Sequence, residues 1–244
     1  MKYGKKIGVG NTAAVYEWEE GTVLKLFYQG YPKKAVEKEF YNAMAINNMN
    51  FAKPRAYEMI FCEERRGIIY DKAAGESLLD WVMRTLDLQG CAIYMSQLHK
   101  AILQNRISNV LNYKAFLKYH IENAPSANVQ KREAALQMLD QLKDGDTLCH
   151  GDFHPGNILL HNGQTTVIDF MNVCHGDALY DVARTVFLVE YTPVPDEADN
   201  RERLMHFKKT LADLYLKEMK VTRKMIQDYL SVIIAARAGE CPDE

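Results

Sequence analysis

The sequence predicts an α+β fold of two lobes. Residues 1–72 should form a small antiparallel sheet lobe with one helix, and residues 73–244 a larger, mainly helical lobe. Three observations carry this. Short apolar segments separated by glycine turns fill the first part, helical periodicity dominates the second, and an Asn162-Gly163 hairpin interrupts the helices. A 244-residue chain with 48% hydrophobic and 25% charged residues has material for a substantial core.

Composition narrows the function. A net charge of -2 with scattered Lys and Arg offers no basic field for nucleic acid, so small-molecule chemistry is expected. No apolar run reaches the roughly 20 residues of a membrane helix, and MKYGKKIGVGNT lacks the apolar centre of a secretory signal. The expected location is cytoplasmic, with no membrane partner. Cys62, Cys91, Cys149, Cys174 and Cys241 form no CxxC pair, which points to reduced, structural thiols.

In the first lobe, Ile7-Gly8-Val9-Gly10-Asn11-Thr12 precedes a β-prone segment. The pattern fits either an ordinary glycine turn or a loop whose bare backbone N–H groups approach phosphates. A dinucleotide fold is disfavoured, because Ala13 holds the third glycine position and Val15 to Trp18 reads as strand. Next, Thr22 to Phe27 is a strand with Lys25 among apolar neighbours, either a snorkelling surface lysine or a phosphate ligand held by a carboxylate. Pro32 suits a helix start, and Val36, Phe40, Ala43, Met44 and Ile46 share a face. At about 100° per residue Glu39 falls inside that face and Glu37 just outside, making Glu39 the better partner for Lys25. Gly67 to Tyr70 reads as a buried strand that ends at Asp71-Lys72, the lobe edge.

The second lobe opens with Ser77 as a helix cap before Leu78, Leu79, Trp81 and Val82. A helix around Cys91 to His99 follows, with His99 packed or capping rather than catalytic. Tyr113, Phe116 and Tyr119 are assigned to packing, and a further helix spans about Gln130 to Leu142, with Gly145 as its stop.

The chemistry concentrates between Leu148 and Asp177. His150-Gly151-Asp152 is followed by a tight loop at Pro155-Gly156 and by Asn157 at the start of a strand. The hairpin brings Asn157 close to Asp169 on the return. Two oxygen ligands from opposite hairpin ends suit Mg²⁺, and Asp152 between them can orient or deprotonate a hydroxyl. The alternatives are loop-stabilising hydrogen bonds, or a metal-dependent hydrolase built on His150, Asp152 and His154.

The run His150-Gly151-Asp152-Phe153-His154-Pro155-Gly156-Asn157, with Ile168-Asp169-Phe170 after it, resembles the catalytic loop and metal motif of the aminoglycoside phosphotransferase and choline kinase superfamily. That resemblance extends from about Ile7 to Asp181 and implies a protein-kinase-like fold. It further implies Asp152 as catalytic base, Asn157 and Asp169 as metal ligands, Gly8 and Gly10 in the nucleotide loop, and Lys25 on the phosphates with Glu39 as its partner. Asp71-Lys72-Ala73 would be the hinge facing adenine, and Asp181, after the helix cap Asp177, would support the catalytic loop. Asp169-Phe170-Met171 lacks the glycine of the protein-kinase triplet, which argues against a phosphorylation-controlled activation loop.

The implied activity is transfer of the γ-phosphoryl group of ATP, with Mg²⁺, to a small-molecule hydroxyl. A catalytically silent nucleotide-binding regulator of the same fold is the alternative. Helices from about Arg201 to Lys217 and Thr222 to Ala238 should cover the large lobe. Asp196, Glu197, Asp199, Glu240, Asp243 and Glu244 either draw a cationic acceptor, such as an amino sugar or amino alcohol, or form solvated surface.

Overall fold

The computed structural model describes residues 3–125, 128–194 and 200–241. Its first part is a five-stranded antiparallel sheet of β1 (Lys6–Val9), β2 (Ala13–Glu17), β3 (Thr22–Phe27), β4 (Ala56–Cys62) and β5 (Arg65–Asp71), in the order β1-β2-β3-β5-β4. Helix α1 (Lys33–Ile46) crosses between β3 and β4. Lys25 lies opposite Val15 and Ile68, at the middle of the central strand. Leu24, Leu26 and Ile69 pack on one face of the sheet with Cys62, while Val23, Phe27, Ile68 and Tyr70 join the main core on the other, as the two-residue strand period requires.

Helix α1 buries Val36, Glu39, Asn42, Ala43 and Ile46. Met44, expected on that face, is exposed, and Asn42 takes the core side instead. Pro32 occupies the N-cap, one residue before the helix.

The chain leaves the sheet at Asp71, and β6 (Glu76–Ser77) pairs with the hairpin of the second part. There α2 (Leu78–Thr85) starts on the Ser77 hydroxyl, which accepts from the Asp80 amide, and α3 (Leu88–Leu103) starts on Asp87. After β7 (Leu111–Asn112) come α4 (Tyr113–Glu122) and α5 (Val129–Gln141). Gly145 does not stop α5, which ends with Leu142 as its cap. Its role is close packing, since a Cβ there would lie 2.4 Å from the Gly176 carbonyl oxygen. Tyr113 packs on Tyr180 as assigned, but Tyr119 faces solvent.

Strands β8 (Thr147–Cys149), β9 (Ile158–His161), β10 (Gln164–Val167) and β11 (Cys174–Gly176) frame the central loop. β9 and β10 form the expected hairpin, with Asn162 and Gly163 both at positive φ in the turn. β8 and β11 pair beside β7. Helix α6 (Ala178–Val186) is capped by Asp177 and runs into a π-helical turn, Phe187–Tyr191; α7 (Arg201–Met219) and α8 (Arg223–Glu240) follow. α7 packs on α3, and α8 on α4, α5 and α6. All five cysteines are thiols. No helix among the described residues is long and apolar enough to cross a membrane.

Candidate active site

Lys25 is held where the strand and helix pattern placed it. Its Nζ donates to Glu39 Oε1 at 2.7 Å and lies 3.3 Å from Asp169 Oδ1. Burial alone would make the ammonium easier to deprotonate, but the two carboxylates outweigh it and raise its proton affinity. Glu39 is 1% exposed and also accepts from the Tyr70 hydroxyl at 3.0 Å. Burial pushes its carboxyl up, with Lys25 and Tyr70 pulling the other way. Asp169 is the opposite case: burial works to raise it, yet Lys25 holds it below the usual carboxylate range. Glu37 pairs instead with Lys33, so the choice of Glu39 by helix phase is borne out.

The loop after β8 presents Asp152, whose side chain is 26% exposed. Asn157 Nδ2 donates to both the Asp152 carbonyl, at 2.9 Å, and its carboxylate Oδ2, at 3.0 Å. That commits the amide nitrogen and leaves Asn157 Oδ1 without a hydrogen bond among the described residues. The hairpin closes this end, because the Ile168 amide donates to the Asn157 carbonyl at 2.9 Å. Asp169 follows at φ 70°, a left-handed conformation that costs a non-glycine residue energy and is found where neighbours enforce it.

Two polar side chains that sequence reasoning missed brace the surrounding loops. Asn42 of α1 donates to the carbonyls of Phe170 at 2.9 Å and Met171 at 3.2 Å, tying the helix that carries Glu39 to the residues after Asp169. The available signal was a polar residue three positions after Glu39, on the same apolar face. Arg184 of α6 is 1% exposed and donates from Nε to the Gly151 carbonyl at 3.1 Å.

Beneath the loop, Asp181 is fully buried and accepts from the amides of His150 at 2.6 Å and Gly151 at 2.9 Å. His99 Nε2 lies 2.9 Å from the same carboxylate, and its Nδ1 lies 2.5 Å from the Tyr215 hydroxyl. A carboxylate only accepts, so Nε2 carries a proton toward Asp181. Burial would raise the Asp181 carboxyl, but His99, His150 and the Gly151 amide together hold it below the usual range. His99 is thus packed, as expected, and stacks on Phe153 at 4.2 Å, yet it also anchors the loop through Asp181.

His150 points inward. Its Nδ1 accepts from the Asp152 amide at 3.3 Å and its Nε2 donates to the Ile168 carbonyl at 3.2 Å. Burial keeps the ring below the ordinary histidine range, so it sits as a neutral brace across the hairpin. With both nitrogens engaged it is no metal ligand, which removes the hydrolase arrangement of His150, Asp152 and His154. No cluster of three or more His, Cys, Asp or Glu suited to a metal occurs among the described residues.

Gly8 lies half-buried in β1 opposite Val15, and Gly10 lies in the exposed turn between β1 and β2, where its amide donates to the Ala13 carbonyl at 2.9 Å. At the lobe edge the Lys72 amide is committed to the Gly21 carbonyl at 2.8 Å and the Asp71 amide to Arg55 at 3.0 Å. The Asp71 carboxylate is taken by Tyr57 at 2.6 Å and the Arg55 amide at 2.9 Å. The Ala73 amide donates to no described residue. Of the acidic side chains weighed for a cationic acceptor, Asp196, Glu197, Asp199, Asp243 and Glu244 lie outside the described residues. Glu240 is paired with Arg184 and Arg237.

A phosphotransferase enzyme family model matches residues 4–215. No curated protein matches the sequence. Among solved structures, amicoumacin kinase hAmiN in complex with AMP-PNP, Ca²⁺ and Ami aligns over 97% of this chain and 79% of that one, at 18% identity and TM-score 0.61. Aminoglycoside phosphotransferase APH(3'')-Id from Streptomyces rimosus, with ADP and streptomycin, aligns over 95% and 92% at 14% identity and TM-score 0.61. APH(4)-Ia, with AMP-PNP and hygromycin B, aligns over 96% and 93% at 16% identity and TM-score 0.56. At these identities the likeness is one of fold, protein-kinase-like with a sheet lobe and a helical part. The family model spans most of the sequence and includes both Lys25 and the loop around Asp152, and the chain therefore belongs to the phosphotransferase enzyme family.

Proposed function

We propose that this protein is an ATP-dependent kinase that moves the γ-phosphoryl group of ATP to a hydroxyl of a small molecule. The observation that carries the reading is a pair of contacts at one end of the hairpin, Lys25 of the sheet part with Asp169 and Asn157 with Asp152, where the Ile168 amide bonds the Asn157 carbonyl. In this role Lys25, kept protonated by Glu39, binds phosphate oxygens. The backbone at Gly8 and Gly10 covers the phosphates, and the backbone at Asp71 and Ala73 meets the adenine edge. Neither Gly8 nor Gly10 has a positive φ, and a Cβ at either would meet nothing closer than 3.4 Å. Glycine there serves no need of the fold itself, which supports keeping the ledge bare for a ligand.

Mg²⁺ fits the donor set. Asn157 has Oδ1 left over after its amide group is spent on Asp152, and the Asp169 side chain is 34% exposed and held toward its ionised form. Both supply the hard oxygen that the ion prefers, with water and phosphate completing its shell. The ion would offset the charge of the phosphate groups. Asp152, oriented by Asn157, accepts the acceptor hydroxyl's hydrogen bond and takes its proton as the hydroxyl oxygen bonds to the γ-phosphorus and the bond from that phosphorus to the β,γ-bridging oxygen breaks, releasing ADP. The structural relatives were solved with AMP-PNP or ADP and with Ami, streptomycin or hygromycin B, which supports ATP as donor and a small molecule as acceptor.

Asp152→Ala tests this. The variant should fold and bind ATP with Mg²⁺ as the parent does, while transfer falls by roughly 10²–10⁴-fold. Near-parental transfer to an accepted substrate would refute the assignment. ATP binding by the unmodified protein, without transfer to amino sugars, amino alcohols, nucleosides or sugars, would favour the silent regulator.

A further inference from the structure

A second charged cluster adjoins the catalytic loop and plays no part in the scheme above. Arg184, bound through Nε to the Gly151 carbonyl, has its guanidinium 5.9 Å from the centroid of Phe116 in α4 and 5.6 Å from that of Phe187. Lys38 of α1 approaches the same Phe116 ring, with Nζ 5.8 Å from its centroid. Arg237 of α8 stands 5.7 Å from Phe187. Glu240 is the carboxylate of this corner, and it is bonded to Arg184 and lies 3.4 Å from Arg237.

Lys38 is the unexplained member. It has no carboxylate within ion-pair distance and no hydrogen bond among the described residues, and its ammonium approaches the Phe116 ring. Yet burial has stripped it of enough water to lower its proton affinity despite the more distant Glu240. An aromatic face replaces only part of the hydration an ammonium loses. A helix residue with no structural partner would gain by turning to solvent, as lysines do. Lys38 is instead half-buried at the Phe116 ring, which the Arg184 guanidinium also approaches, and Arg184 bonds the Gly151 carbonyl next to Asp152.

We propose that Lys38, over Phe116, binds an anionic group of the acceptor, so that the substrate is a hydroxy compound bearing a carboxylate or phosphate rather than a polycation. Arg184, 5.9 Å from the centroid of the same ring, adds positive charge to the corner. Glu240, neutralised by Arg184 and Arg237, leaves the corner cationic toward a ligand. This deepens the kinase reading and rests on Asp152 serving the acceptor hydroxyl.

The test uses four acceptors on one skeleton, namely glucose, glucosamine, gluconate and glucose 6-phosphate, with the unmodified protein, Lys38→Gln and Lys38→Glu. Gluconate or glucose 6-phosphate should exceed glucose in kcat/KM by roughly tenfold, with glucosamine lowest. Lys38→Gln should erase that advantage through KM for the acceptor, leaving KM for ATP unchanged. Lys38→Glu should turn the preference toward glucosamine. A parental preference for glucosamine, or an anion preference that survives Lys38→Gln, overturns the proposal. Where none of the four is phosphorylated, calorimetric titration with inorganic phosphate decides, the nucleotide cleft being filled with AMP-PNP and Mg²⁺. Binding by the parent that is lost in Lys38→Gln upholds the site, and absent or unchanged binding overturns it. ATP binding is measured separately, so failure of the kinase reading shows there and not in the anion titration.

Discussion

Asp181 carries the back of the catalytic loop, and removing its carboxylate has a cost that can be worked out from its partners. Asp181→Ala strips the acceptor from two buried backbone amides, His150 and Gly151, and from the ring N–H of His99. An unsatisfied buried donor costs about 1–3 kcal/mol, and breaking a buried charged set by removing one member costs about 3–5 kcal/mol. The expected loss is therefore about 3–5 kcal/mol, within the roughly 5–15 kcal/mol of a typical domain, so the variant remains folded. Asp181→Asn retains one acceptor oxygen and should fall between. Urea denaturation measures both, and transfer should fall further than ATP affinity does, since Lys25 and the glycine turn are untouched. The acid limb gives an independent reading. The folded-state pKa of Asp181 is depressed, so its contribution is present above the unfolded value of about 3.9 and disappears as pH falls through the folded one. Asp181→Asn should therefore lose less stability than the parent across that acid window. An Asp181→Ala midpoint equal to the parent's, or superimposable acid limbs, would refute the account.

Two smaller perturbations separate fold from function. Gly10→Ala meets only the Ala13 carbonyl oxygen at 3.5 Å and should alter stability by no more than about 0.5 kcal/mol, yet raise KM for ATP severalfold if phosphates approach that backbone; an unchanged KM removes Gly10 from the nucleotide site. Asn42→Ala leaves the Phe170 and Met171 carbonyls without their donor and should cost about 1–3 kcal/mol while raising the Mg²⁺ concentration needed for half-maximal transfer, because Asp169 is less firmly held. Parental values in denaturation and magnesium titration would show the strut to be idle.

The parts of this site that could be read in the sequence are those that local pattern determines. The Asn162-Gly163 turn demands positive φ, the two-residue alternation places Lys25 at mid-strand, and the helical period separates Glu39 from Glu37. Caps at Ser77 and Asp177 followed from the same local rules. The supports were hidden because their partners are remote in sequence. His99 meets Asp181 across 82 residues and Tyr215 across 116, and Asn42 meets Phe170 across 128. Nothing in the chain around His99 marks it apart from any buried histidine. Met44 was misassigned because the apolar arc of α1 was read from hydrophobic residues alone, while the helix buries two polar ones, Glu39 and Asn42. Gly145 was read as a helix stop when its constraint comes from Gly176, a contact no local rule contains.

The backbone of residues 150–151 is gripped from Asp181 and Arg184; His99, itself bonded to Tyr215, holds Asp181, and Glu240 holds Arg184. Every grip is long-range, so no short contiguous piece of the chain contains a finished catalytic loop. Local fraying cannot release it gradually, because opening any one anchor exposes charged groups that the others were neutralising. Loss of activity on heating should accordingly track the cooperative melting of the helical part, and a proteolytic fragment that retains the loop together with its hairpin should be inert.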